Sequence, residues 1–233
     1  MRHALFASLA VVALVVSARA TTMMPVQKNC PIGGERYESL EIMSTSQFGM
    51  RLDLRPNGPA AYLPWDECPN GFVVWKDDKT FTPDEIAKLT PIVASDAYQR
   101  MRKDHVTAYR VVHLRRALGE GDGELAWLIL KAAWEAEDAG REPLRQSYLT
   151  EAQSAFIARA KAASSHDEDW WSSSIVVAEI DRQRGHFAES MASLDALPVG
   201  ELKPDDVKRA VIAQIKDHAR RNDAKPALFN SKE

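Results

Sequence analysis

The chain has 233 residues, with 30 Lys and Arg against 33 Asp and Glu and a formal charge of −3. Charges of both signs, interspersed in that ratio, leave no basic footprint for nucleic acid and no basic amphipathic face for anionic lipid. The length suffices to bury a sizeable core, as one large domain or two small ones.

In chain order, Met1-Arg2-His3 makes a positive start, and Ala4 to Val16 is uncharged with a single Ser. That run is shorter than the about 20 apolar residues a membrane-crossing helix needs. Ser17-Ala18-Arg19-Ala20 then sets small residues one and three positions before a cut at Ala20/Thr21. The pattern predicts a cleavable secretory signal over residues 1–20 and a periplasmic or secreted chain without stable membrane insertion after cleavage. Taking 20 residues from 233 leaves 213, and losing Arg2 and Arg19 moves the charge from −3 to −5.

Residues 21–80 hold both cysteines and much of the proline, with short apolar alternations between turns. Arg36–Met43 and Gly71–Lys76 read as strands, and Arg55-Pro56-Asn57-Gly58-Pro59 as a turn. In Phe48–Arg55, a strand would put Arg51, Asp53 and Arg55 on one face. Such a face would grip a carboxylate or a partner's main chain, and a solvated face with internal ion pairs explains the alternation equally well.

From Phe81 onward the pattern is helical. Thr82-Pro83-Asp84-Glu85 is a capping box with Pro at the first helical position, and Ser165-His166-Asp167-Glu168 repeats the Ser-x-x-Glu logic. Pro143 and Pro204 stand where first turns begin. The spacing predicts helices over 83–93, 95–103, 106–118, 123–138, 143–163, 167–184, 187–196 and 204–221. Leu125 to Trp134 carries only one charge, Lys131, which predicts a helix packed from several sides at the centre of the domain. The 143–163 and 204–221 helices each show one apolar stripe, the second running Val207, Ala210, Val211, Gln214, Ile215. Gly119-Glu120-Gly121-Asp122-Gly123 reads as an interhelical turn, since its acids would repel phosphate.

Ile175–Leu197 resembles one tetratricopeptide unit, with Ala178 and Ser190 at the small packing positions and Phe187 at the turn. There is no clean second copy at a 34-residue period, so the likeness implies a repeat-like α-hairpin within a helical domain (81–233). Trp170 and Trp171 open its first helix. Both cannot point inward, so one of them is a candidate exposed anchor for a partner. His166-Asp167-Glu168-Asp169 has the composition of a metal or acid–base cluster, and acids in a first helical turn serve equally as caps.

Cys30-Pro31-Ile32-Gly33-Gly34 and Cys68-Pro69-Asn70-Gly71-Phe72 each open a Cys-Pro-x-Gly turn. With the helices that follow, they make residues 26–200 resemble a bacterial family of unassigned molecular role. That family carries two Cys-Pro-x-Cys-Gly zinc-ribbon knuckles and then tetratricopeptide-like helices. The likeness is to exported members lacking the second cysteine of each knuckle, here replaced by Gly33 and Gly71. Two thiolates do not close a tetrahedral zinc site. The resemblance implies facing thiols and hence a Cys30–Cys68 disulfide in an oxidising compartment; a metal site and a reactive thiol pair are the alternatives.

The expected fold is α+β and mainly α, a disulfide-closed β-rich module packed on a repeat-like helical domain. No catalytic signature or cofactor motif occurs. The favoured function is a non-catalytic interaction module for another envelope protein or peptide. An envelope-polymer hydrolase with helix-borne carboxylates and a thiol/disulfide sensor are the competing expectations.

Overall fold

The computed structural model describes residues 22–58, 65–75 and 80–230. The expected signal, its cut at Ala20/Thr21, and Lys76 of the expected second strand lie outside them. Among the described residues the fold is mainly α with one small antiparallel sheet. The sheet pairs β1 (Thr22–Asn29) with β2 (Arg36–Ser44). Eight helices follow: α1 (Pro83–Ala94), α2 (Asp96–Asp104), α3 (Thr107–Ala117), α4 (Asp122–Asp138), α5 (Glu142–Ala162), α6 (Glu168–Gln183), α7 (Phe187–Asp195) and α8 (Val207–Arg220). None is long and apolar enough to cross a membrane.

The helix boundaries follow local chemistry. Thr82 Oγ1 accepts from Glu85 N at 3.2 Å while Thr82 N donates to Glu85 Oε2 at 2.8 Å, completing the capping box of α1. At α6 the cap is Asp167 rather than Ser165: its Oδ1 accepts from Trp170 N and its Oδ2 from Ser164 N. A carboxylate there satisfies two backbone donors and also complements the helix dipole. Helix α8 begins at Val207 rather than Pro204, because Asp206 caps it by accepting from Lys208 N.

One strand expectation is corrected. Residues 71–75 form no strand; Val73 makes a single bridge to Glu67 where the chain doubles back after Cys68. Residues 48–55 form the tip of a second, tighter hairpin, described below. Strand β1 was not signalled, since Pro25 interrupts its alternation.

The core lies in three clusters, and each contains residues from before and after position 80. Val73 joins the α3–α5 cluster around Leu125, Ile129 and Phe156. Cys30, Ile32, Cys68 and Phe72 pack with Leu89, Tyr98 and Leu114 of α1–α3. Leu52 sits among Trp171, Ile175, Leu194, Val211 and Ile215 of α6–α8. The change in composition near Phe81 therefore does not separate two cores. Helix α4 buries residues on all sides, from Leu125 through Ala136, as its near-uniform apolar sequence requires. Ala178 of α6 and Ser190 of α7 are both fully buried.

Cys30 and Cys68 form a disulfide with Cα atoms 5.9 Å apart, and both are buried. It closes a loop of 38 residues' separation, a constraint of about 4 kcal/mol in the chain-entropy model. The two Cys-Pro turns match: Gly33 and Gly71 each take φ +90°, a conformation that side-chain-bearing residues avoid. Asn70 Nδ2 donates to Ile32 O at 2.7 Å, tying one turn to the other. The second turn is fixed to the helices, since Gly71 O accepts from Tyr98 Oη at 3.0 Å and Arg110 Nη1 at 3.2 Å.

Candidate functional site

Connections of three residues after α4 and after α6 make neighbouring helices antiparallel. The C-terminal ends of α4 and α6 and the N-terminal end of α5 thus gather at one end of the array. There they surround the hairpin tip of residues 50–55.

The tip is a tight turn. Arg51 N donates to Arg55 O at 2.7 Å, Leu54 N donates to Arg51 O at 3.0 Å, and Leu54 takes φ +63°. Asp53 is 1% exposed, so its carboxylate must be fully partnered. It accepts from Arg51 at 2.7 and 3.1 Å, Trp134 Nε1 at 2.9 Å, Gln183 Nε2 at 3.2 Å and Arg55 N at 3.2 Å. Arg51 also donates to both oxygens of Glu137, at 2.6 and 3.1 Å, and Arg55 to Asp138 at 2.7 Å. Cations at the C-terminal end of α4 are also favoured by its dipole.

Sequence reasoning did not place Glu137, Arg145, Glu179, Arg182 or Gln183 here. Arg145 donates to Glu137 at 3.1 Å and to Gln183 Oε1. Glu179 and Arg182 are both fully buried and joined by two parallel bonds of 2.5 and 2.7 Å. Burial pushes the Glu179 carboxyl up, against the pull of Arg182 and Gln183. Burial acts the same way on Glu137, but Arg51, Arg145 and Arg55 outweigh it and hold that carboxyl below its ordinary range.

The fourth wall is a later stretch of the chain. Residues 223–230 follow α8, bend at Lys225, and pair with the tip over Ala227–Phe229. Leu52 N donates to Ala227 O and Phe229 N to Met50 O, both at 2.9 Å, with Arg51 and Leu228 bridged antiparallel. Arg182 Nη1 donates to the carbonyls of Asp223 and, at 3.0 Å, Lys225. The Gln214 amide takes both main-chain groups of Asn230, donating to its carbonyl at 2.6 Å and accepting from its N–H at 3.0 Å. Ala227 and Phe229 pack against the cluster around Leu52, while Leu228 is 57% exposed. The array therefore holds an extended segment chiefly through its backbone.

The tryptophans divide as their adjacency required. Trp171 is buried beside Leu52; Trp170 is half-buried, its ring 4.7 Å from that of His166 and edge-on to Trp171 at 5.2 Å. His166 Nδ1 lies 2.6 Å from Glu201 Oε2. This pair sits toward the opposite end of α6 from Glu179–Gln183.

At this end of the array two helix-borne carboxylates are engaged: both oxygens of Glu137 and of Glu179 accept from Arg or Gln side chains. One open concavity is lined by Asp96, Gln99, Arg100, Arg102 and Lys103 of α2, and another, beside the cradle, by Pro204, Val207, Arg209, Ala210 and Phe229. Among the described residues, no group of three or more His, Cys, Asp or Glu is placed to hold a metal ion. Compared with known proteins, the chain matches no family model, no curated protein and no solved structure.

Proposed function

We propose that this is an exported, non-catalytic interaction module whose helical array engages an extended segment of another envelope protein. The observation that carries the reading is the cradle itself. Stacked α-hairpins characteristically present surfaces to extended chains. Here Arg182, Gln214 and the 50–52 edge address carbonyls and N–H groups along residues 223–230, a mode of contact independent of most side chains. Export is supported by the signal-like residues 1–20 and by a buried disulfide, which suits an oxidising compartment. The matching turns at Cys30 and Cys68, with glycine at φ +90° in each, support descent from a zinc-ribbon pair whose metal gave way to a disulfide. The same burial weighs against a thiol/disulfide sensor, because exchange needs an approaching thiolate.

The test is site-specific photo-cross-linking in the envelope. A cross-linker at exposed Leu228 reports on the cradle, one at Trp170 on the other end of α6, and one at exposed Lys88 on α1 serves as the control. A defined protein adduct at Leu228 or Trp170 and not at Lys88 is expected. Equal labelling at all three positions, or none at any, overturns the interaction reading.

A further inference from the structure

Residues 223–230 are held in a manner unlike the rest of the chain. Helices α4–α8 pack through their side chains. This segment is fixed by hydrogen bonds from Leu52, Arg182 and Gln214 to its backbone, by the Asp223 carboxylate 2.9 Å from His218 Nδ1, and by two apolar anchors, Ala227 and Phe229. The residue between the anchors, Leu228, points to solvent. The alternation in, out, in is that of a β-strand added to an edge, with pockets for every second side chain. Below it lies the Met50–Leu52 edge, and beyond it Gln214 bonds both main-chain groups of Asn230.

We propose that segment 223–230 is a resident occupant of a binding site, and that the site's external ligand is an extended polypeptide of the pattern small residue, any residue, aromatic. This rests on the interaction reading above and names the partner's chemistry. The ligand's backbone would replace that of Ala227-Leu228-Phe229 against Met50 and Leu52. Its aromatic side chain would take the place of Phe229, and the Gln214 amide would take its next N–H and carbonyl. Nothing covalent is required. The resident segment competes from a tether, at an effective concentration of order millimolar, so the wild-type chain answers only to strong or abundant ligands.

The experiment uses the mature chain (residues 21–233) and a fluorescent synthetic peptide of residues 222–230. The variant A227D/F229S removes both anchors and frees the site; adding Gln214→Leu removes the amide that reads the backbone. The peptide is expected to bind A227D/F229S at least about tenfold more tightly than wild type, and to lose about tenfold or more on adding Gln214→Leu. A peptide with its Phe replaced by Asp should not bind. Circular dichroism and melting accompany each variant. Loss of helical structure in A227D/F229S would make the segment part of the core and overturn the proposal. A folded variant that binds no better than wild type, or binding indifferent to Gln214, would overturn it too. A specific Leu228 or Trp170 cross-link persisting alongside such a failure leaves the interaction reading standing; its absence as well removes both.

Discussion

Two hairpins described before the first helix, β1–β2 and the one around residues 50–55, treat their side chains in opposite ways. The β1–β2 ribbon turns apolar residues outward: Met23, Met24, Leu40, Ile42 and Met43 are each at least 40% exposed. The hairpin around residues 50–55 buries the charged Asp53 together with Leu52 among the helices. Hydrophobicity alone ranks these segments in the wrong order. What decides is which one has complementary partners: the ribbon is pinned at its Cys30–Arg36 turn, whereas the second hairpin meets Glu137, Trp134 and Gln183 in correct register. A buried charge in such a setting is a keystone, because removing either side strands the other.

The largest effects should come from breaking that buried network. Arg182→Ala leaves Glu179 in the interior without its counter-charge and should cost about 3–5 kcal/mol in urea unfolding. The double change E179L/R182M, which removes both charges, should restore much of this. Asp53→Ala should approach the same cost by removing the buried acceptor that Arg51, Trp134 Nε1, Gln183 and Arg55 N share, although Arg51 keeps Glu137. If Asp53→Ala costs no more than an ordinary surface change, the contrast between the hairpins fails.

Next in size is the covalent link that holds the ribbon's base. The pair of changes Cys30→Ser and Cys68→Ser should lower stability by about 2–4 kcal/mol, read from the same unfolding curves. The folded wild type should resist mild reductant, since both sulfurs are buried.

A smaller, pH-dependent effect separates the helical side of the structure from both hairpins. Burial holds His105 below the ordinary histidine value, with Tyr148 Oη 2.8 Å from its Nδ1. Because the folded value is depressed, the unfolded chain takes up the proton first. The stability contributed is complete above about pH 6.5 and declines as pH falls through the folded value. The Tm of wild type minus that of His105→Phe should therefore shrink between pH 7.5 and 5.5. A difference that widens over that range would reverse the assignment.

The smallest effect belongs to the exposed ribbon. Leu40→Ser and Ile42→Ser should each change stability by no more than about 0.5 kcal/mol, despite removing large apolar groups. A loss of several kcal/mol would show that these side chains are packed.

Much of the helical part was legible in the sequence, because caps and periodicity are local. Thr82 with Glu85, Pro143 at a first turn and the all-apolar run of α4 each act within a few residues. The paired Cys-Pro turns could be read as a disulfide only through a family likeness, since spacing alone does not bring Cys30 and Cys68 together. The cradle was not legible, because its contacts join positions far apart in the chain, as between Gln183 and Asp53 and, further still, between Phe229 and Met50. One trace of it was present. Trp171, Ile175 and Ala178 form a buried stripe whose next position, at the same spacing, is Arg182. A charge on a core stripe calls for a buried partner, and Gln214 on the Val211–Ile215 stripe carries the same message more softly. The Arg51, Asp53, Arg55 alternation was noticed, but it reads as a strand face until the turn closed by Arg51 N and Arg55 O is seen.

The central claim is that residues 223–230 occupy their place as an exchangeable strand, and native-state hydrogen exchange addresses it most directly. The amides of Leu52, Phe229 and Asn230 are bonded across the cradle, whereas that of Ile129 lies within α4. The account predicts that the first three exchange through a partial opening, at a free energy clearly below that of Ile129 and with little denaturant dependence. Exchange of Phe229 and Asn230 only through the same global unfolding as Ile129 would contradict it, and would make the segment a fixed part of the helical core.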